Sequence, residues 1–249
     1  MKANDGNLIL SESGSTKNII YVEIKPDCYF VRRLNNEEAD DIFLKYDEGN
    51  LDNQKQYRVR ELQMGPNKGQ RIAEKLFDKL PKVQLIKAFE NEAFGQRRIC
   101  LVFSDMTGDT PDIHISSPLL NGKGHINSFA SSFCDKIPKI EIGTPMDFGV
   151  YKTTNKKTGK DKGNIGIEQR GVNLTSPYWD PVAKERIGDK PKEKEVVKLG
   201  VKEWDYSEPT EFQLKIFNKF CQDLNAYWGN EDEVKTTKEV VPEEEVMPF

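Results

Sequence analysis

Val83-Gln-Leu-Ile-Lys-Ala-Phe-Glu-Asn-Glu-Ala-Phe-Gly-Gln-Arg-Arg-Ile-Cys-Leu-Val-Phe-Ser104 is the stretch whose reading decides the fold. Val83 to Glu90 alternates, with Val83, Leu85 and Lys87 on one side and Gln84, Ile86 and Ala88 on the other. Arg97 to Ser104 is a second run rich in β-branched and aromatic residues, and such residues suit a pleated, half-buried surface. Between the two, Asn91 to Gln96 is a tight turn with Gly95 where a positive φ is needed. The segment therefore predicts a β-hairpin.

Working downstream, Met106 to Pro111 is a turn and Asp112 to Ser116 a third strand. Gly124 to Ile137 switches to helical spacing, with Ile126, Phe129, Ala130, Phe133, Cys134 and Ile137 on one stripe, and Pro138 stops it. Lys139–Ile142 with Phe148–Thr154 gives a fourth strand region, bent at 143–145. Thr154–Gly163 is a lysine-rich loop and Asn164–Arg170 a fifth strand. Three strands, a helix and two strands is the order of the oligonucleotide-binding barrel, the OB-fold. The fold class expected is mainly β, an OB-type β-barrel with additional N-terminal strands and a C-terminal helix.

Upstream, residues 1–16 read as a loose arm. In the N-terminal β-rich extension, 17–82, residues 18–25 and 28–34 are strands, and 35–54 an acidic loop. Gln56–Leu62 is a strand, with Arg58 and Arg60 on one face, Tyr57, Val59 and Glu61 on the other. Ile72, Leu76 and Leu80 are spaced for a helix over 71–80, ended by Pro81. The barrel occupies 83–171. In 172–229 a Pro- and Lys-rich insert leads to a helix over 210–228. Thr210 and Gln213 fit a capping box, Phe217, Phe220, Leu224 and Trp228 lie on its apolar stripe, and Gly229 is placed to end it. Residues 230–249 form an acidic tail too polar to bury a core of its own.

With 249 residues, 13 Phe, 8 Tyr and 3 Trp the chain has the aromatic stock for a core, which a disordered chain lacks. No apolar run reaches the roughly 20 residues of a membrane helix. The start lacks a secretory leader, and four dispersed cysteines read as free thiols, so a cytoplasmic location is expected. The net charge of -4 hides two populations. The tail carries seven acids against two lysines, which leaves the body near neutral. The body in turn holds a basic segment at 150–170.

That segment supplies the candidate binding residues. In an OB-fold the loops joining strands one to two and four to five do much of the oligonucleotide contact. Here the second loop carries Lys156, Lys157, Lys160 and Lys162, with Lys152 and Arg170 beside it; lysines at such a tip suit phosphates and give no base code. Phe94 sits in the first loop, and Phe148 and Tyr151 lead into the second, where aromatic faces can stack on unpaired bases. Lys87, Arg97 and Arg98 flank them. The competing reading is a set of solvated lysines and core aromatics. The tail closes on Glu243-Glu244-Glu245-Val-Met247-Pro248-Phe249, an aromatic knob and a carboxylate suited to capture by a partner protein.

In these features the chain resembles the single-stranded DNA-binding proteins of bacteria and their phages. The resemblance rests on the acidic tail ending in Pro248-Phe249 and on the barrel order over 83–171 with its basic fourth-to-fifth loop. It implies sequence-independent binding of single-stranded DNA in replication, recombination or repair. It also implies that Glu243, Glu244, Glu245, Met247, Pro248 and Phe249 recruit replication or recombination proteins. The N-terminal extension, the insert with its helix, Met247 in the tip and the missing Gly/Gln/Pro-rich linker depart from the bacterial pattern and match a phage version better.

Enzyme readings find less support. No phosphate-binding loop of the G-x-x-x-x-G-K-[ST] type occurs, since Gly65-Pro-Asn-Lys-Gly69 does not fit it. Asp147-Phe-Gly149 lacks the other kinase motifs. His114 and His125 are the only histidines, and neither has an evident nucleophile partner. No catalysis, metal or cofactor is expected. Two rivals remain: a protein–protein adaptor or virion scaffold without nucleic-acid binding, and a nuclease or recombination enzyme that degrades or anneals DNA with a divalent metal.

Overall fold

The computed structural model describes residues 19–25, 27–51, 56–63, 67–93, 95–105, 111–154, 159, 161–180, 182–183, 185–198 and 201–236. The protein is mainly β. In chain order the elements begin with β1 (Ile19–Ile24), β2 (Phe30–Arg33), α1 (Asn36–Asp47), β3 (Tyr57–Glu61) and β4 (Arg71–Phe77). The long strand β5 (Lys79–Ala93) follows, then β6 (Gln96–Ser104), β7 (Asp112–Pro118), α2 (Ser128–Cys134) and a 3-10 turn at Ile137–Lys139. Next come β8 (Met146–Thr154), β9 (Asp161–Gln169) and β10 (Val172–Asn173). Two small ribbons, β11 (Trp179–Asp180) with β12 (Glu185–Arg186) and β13 (Lys194–Lys198) with β14 (Val201–Asp205), precede α3 (Ser207–Thr236).

Ten strands form one sheet in the order β10-β9-β8-β5-β6-β7-β1-β2-β4-β3. Every pairing is antiparallel except β1 with β7. The predicted hairpin is present: β5 pairs β6 from Gln84↔Ser104 to Ala93↔Gln96, and Gly95 turns at φ 69. The predicted chain order over 83–171, three strands, a helix and two strands, is also present as β5, β6, β7, α2, β8 and β9, and within the sheet these strands lie as β9-β8-β5-β6-β7. The sheet does not close into a barrel. The free edge of β7 is taken by β1. On β9, the Ser132 hydroxyl of α2 accepts from Ile165 N–H at 3.0 Å and donates to Ile165 C=O at 3.4 Å, which occupies the groups a closing strand would use. Beside it the Phe129 ring lies so close to Gly163 that a Cβ there would fall 2.2 Å from the ring.

The helices cover one face of the sheet. α1 buries Ala39 and Ile42 against Leu34 and Ala73, with Tyr57 and Val59 packed alongside. Phe129 and Phe133 of α2 and Phe217, Phe220 and Leu224 of α3 join the inward residues of β1, β2 and β5 to β9 in the main core. The other face is only partly open: Tyr21, Arg33 and Lys87 are exposed on it, whereas Val31, Ile72, Glu74 and Val102 are buried.

Several expectations are corrected. Residues 35–54 hold α1, capped by Asn35: its side chain accepts from Glu38 N–H while Glu38 bonds back to Asn35 N–H, a complete capping box. Residues 71–80 are not a helix but β4 and the start of β5; pairing with β2 and β3 outweighs the helical spacing of Ile72, Leu76 and Leu80. Pro81 lies inside β5, in the gap where the pairing with β8 shifts between Leu80 and Val83, so its missing N–H breaks no ladder bond. α2 is shorter than expected because Asn127 caps it at Phe129 N–H, and 139–142 does not extend as a strand. Thr210 and Gln213 do not cap α3. They fasten it to the α2 region instead: Thr210 Oγ1 accepts from Ile126 N–H, and Gln213 Nε2 donates to Ser131 and Asp135. Gly229 does not end α3, which runs on to Thr236. The arm at 1–16 and the tail beyond Thr236 lie outside the described residues. Among the described residues no helix is long and apolar enough to cross a membrane.

Candidate nucleic-acid interface

The face of the sheet away from the helices is set by strand register. Residues directly opposite on neighbouring strands point to the same side. One row across this face runs Lys87, Val102, His114 and Tyr21; the next runs Phe89, Cys100, Ser116 and Glu23; a third runs Asn91, Arg98 and Pro118. Further along, Arg33, Glu74 and Arg58 stand opposite one another, as do Ile72 and Arg60. The face thus carries aromatic rings in the middle and cations at both ends.

A local irregularity in β5 aims its share of these groups. The β5–β6 pairing slips between Leu85 and Lys87, so one extra residue enters β5. Such a bulge reverses the alternation beyond it. Ala88 therefore faces the core, while Lys87 and Phe89 face outward. Uninterrupted alternation put Lys87 on the side of Leu85, and that expectation is overturned. Lys87 Nζ lies 5.5 Å from the Phe89 ring centroid, close enough for a cation–π contact.

Tyr21 is 48 % exposed and meets the His114 ring edge-on, with centroids 5.5 Å apart. Burial depresses the pKa of His114, and Lys87 pushes the same way against the opposing pull of Asp112. At neutral pH His114 is therefore an uncharged ring. Glu74 is nearly inaccessible and receives Arg58 Nε at 2.6 Å and Arg60 Nη2 at 2.7 Å. Burial alone would raise its pKa, but the hydrogen bonds from Arg60 and Arg58 prevail and hold the carboxyl below its ordinary range. One buried carboxylate thus fixes two guanidinium groups on the outer face.

The residues expected from sequence divide. Lys87 and Tyr151 are placed as a binding role requires: Lys87 is exposed, and Tyr151, on β8, is 46 % exposed. Phe148 is fully buried among Phe30, Phe103 and Phe133, so it cannot stack on a base. Arg98 is on the outer face but nearly covered, its Nε donating to Ser116 Oγ at 2.6 Å and a guanidinium nitrogen 3.5 Å from Glu23. Arg97 shares the helix-side face with Ile99 and is bound by Glu90. Lys152 pairs with Asp161 at 3.2 Å and Arg170 with Glu141 at 2.8 Å. Arg170 serves the β9–β10 turn, in which it and Gly171 both take positive φ. Lys162 is exposed and without an ion pair among the described residues. Phe94, Lys156, Lys157 and Lys160 lie outside the described residues, as do Glu243, Glu244, Glu245, Met247, Pro248 and Phe249.

Sequence reasoning missed Tyr21, Phe89 and His114 as interface residues, along with Arg33, Arg58 and Arg60. Tyr21 and Arg58 lay in strands that were foreseen, but the neighbour that puts their faces on one sheet is the parallel β1–β7 pairing. No local pattern announces that pairing.

Cys28, Cys100 and Cys134 are buried free thiols, and burial raises the pKa of all four cysteines, that of Cys221 to about 12. None is a thiolate at neutral pH. His125 stands before α2 rather than in it, with its ring 4.6 Å from that of Tyr206. Among the described residues no group of three His, Cys, Asp or Glu side chains is placed to hold a metal ion. Compared with known protein families, with curated proteins and with solved structures, the chain matches none.

Proposed function

We propose that this protein binds single-stranded DNA without strict sequence preference, along the exposed positions of the sheet face away from the helices. The observation that carries the reading is the outward set Lys87, Phe89, His114 and Tyr21, three rings and one cation contributed by β5, β7 and β1 to one face of the sheet. Single-strand binders need this combination: π-faces for bases of any identity and positive charge along the backbone. Duplex DNA hides its bases and has less use for exposed rings.

The strand order supports an oligonucleotide-binding barrel in an opened form. β5, β6, β7, α2, β8 and β9 follow one another as that fold requires, and the fold tolerates partial opening. β1 stands where the last barrel strand would close. The acidic segment 237–249 would then act as a competing polyanion and a handle for replication or recombination proteins. The protein would do no chemistry of its own.

The test is a fluorescence titration of full-length protein with a labelled dT oligonucleotide and a matched duplex at low and high salt. Tight, salt-sensitive preference for the single strand is expected. Equal binding to both, or none at low salt, would reject the reading.

A further inference from the structure

On the outer face of β8 and β9, two glycines stand directly opposite each other, Gly149 and Gly166. Neither glycine sends out a side chain; the Asp78 carbonyl closes over Gly149, and beside it lies a cavity of about 250 Å³. Tyr151 forms one wall. Its ring lies against the Gly166 backbone, where an added Cβ would meet it at 3.5 Å, and the rest of the ring is open. At the far end stand Asp147, Glu168 and Asn173, register partners in sequence across β8, β9 and β10.

These polar groups are unequal. Asp147 is committed, accepting from Lys82 N–H at 2.8 Å and pairing with Lys79 Nζ at 2.5 Å. Glu168 accepts no hydrogen bond and forms no ion pair with any described residue, although it faces Asp147 directly. Two carboxylates directly opposite repel each other; Lys79 bonds Asp147 and also lies within electrostatic reach of Glu168. The slot therefore joins an aromatic wall to a planar, two-oxygen acceptor whose hydrogen-bonding capacity no described residue uses.

We propose that this slot is a subsite for a guanine base in single-stranded nucleic acid. The inference rests on the single-strand reading above and adds a base preference to it. A ring of that width can lie along Tyr151 beside the paired glycines with its Watson–Crick edge toward Glu168. Unpaired bases are commonly read on that edge. Guanine presents two parallel N–H donors there, N1–H and the exocyclic amine, which match both oxygens of one carboxylate in the bidentate geometry that charge-assisted pairs favour. Adenine and cytosine present one amine beside a ring-nitrogen lone pair. Thymine presents one N–H between two carbonyl oxygens, and those oxygens meet the carboxylate with like charge.

The experiment compares full-length protein on oligo(dT) and on an equal-length oligo(dT) carrying isolated guanines, with Glu168→Gln and Tyr151→Leu alongside. A bidentate base contact discriminates by about fivefold or more. The guanine strand is expected to bind wild type tighter by that factor, and Glu168→Gln to bring the two strands level while leaving oligo(dT) affinity unchanged. Tyr151→Leu should weaken the guanine strand more than oligo(dT). Equal binding of the two strands by wild type, or a guanine preference that survives Glu168→Gln, overturns the subsite and leaves the single-strand reading standing. Binding to neither strand overturns both.

Discussion

Replacing Tyr21 by valine tests the interface at its centre. Valine keeps the β-propensity of β1 and removes the π-face. Tyr21 is 48 % exposed, and its described ring contact is the edge of His114 at 5.5 Å. The lost edge-to-face pair and half-ring burial together cost about 1–2 kcal/mol of stability. For a chain of this size that lowers Tm by only a few degrees, about 2–4 °C per kcal/mol. The protein stays folded at assay temperature. Stacking on an aromatic residue is worth about 1–3 kcal/mol per base. A ring with one edge already engaged belongs near the lower half of that range, so oligo(dT) affinity should fall by roughly tenfold. The assay is a fluorescence titration at fixed salt, with thermal melting of the same samples. Phe89→Val, on the adjacent row, should behave alike. If both variants bind within about twofold of wild type while melting as expected, the bases do not lie on this face.

Three further outcomes follow from particular contacts. Phe148→Leu should lower Tm, at a cost of about 1–3 kcal/mol, and leave oligo(dT) affinity unchanged at a temperature where it is folded, because Phe148 is core and not platform. Glu74→Gln strands two guanidinium groups and should destabilise by about 2–4 kcal/mol at neutral pH. The folded-state pKa of Glu74 is depressed, so its contribution is fully present above the ordinary carboxylate range and fades as pH falls through that range toward the folded value. Urea titrations from pH 7 to 3 should show the variant losing less stability than wild type over the acid limb. Removing residues 237–249, four glutamates against one lysine, should leave single-strand affinity equal or tighter in the same titration; clear weakening would contradict the competing-polyanion role.

Much of the fold was legible because its signals are local. The hairpin around Gly95, the strands at 19–24, 57–61 and 112–118 and the apolar stripe of α3 all follow from alternation, spacing and turn chemistry. What failed depended on partners distant in sequence. Residues 71–80 read as a helix because Ile72, Leu76 and Leu80 fit one, yet β2 and β3 offered that segment two strand edges. α1 was passed over because only Ala39 and Ile42 are buried, although Asn35 and Glu38 spell its cap. Within the site, aromatic residues near basic ones were nominated without knowing which way each faced. For Phe148 the strand phase sends the ring inward. For Phe89 a single-residue bulge sends it outward.

The N-terminal strands change how much surface a single strand could use. Five barrel strands alone would end the outer face at β7. With β1, β2, β4 and β3 added, the face runs over seven strands from β5 to β3, and at about 4.8 Å per strand spacing that is roughly 29 Å. Arg33 tests whether the added part is used. It points outward from β2, is exposed and makes no ion pair among the described residues; Gln70 Oε1 accepts from it at 3.5 Å. Its replacement by glutamine should cost little stability. Each phosphate contact contributes about 0.7 to the slope of log affinity against log salt for a single strand. Arg33→Gln should therefore flatten that slope by about 0.7 if the strand reaches β2, and Lys87→Gln should do the same from the other end. A slope changed by Lys87→Gln but untouched by Arg33→Gln would keep the DNA off β2, β4 and β3, and would reduce those N-terminal strands to a brace that covers the open side of the core.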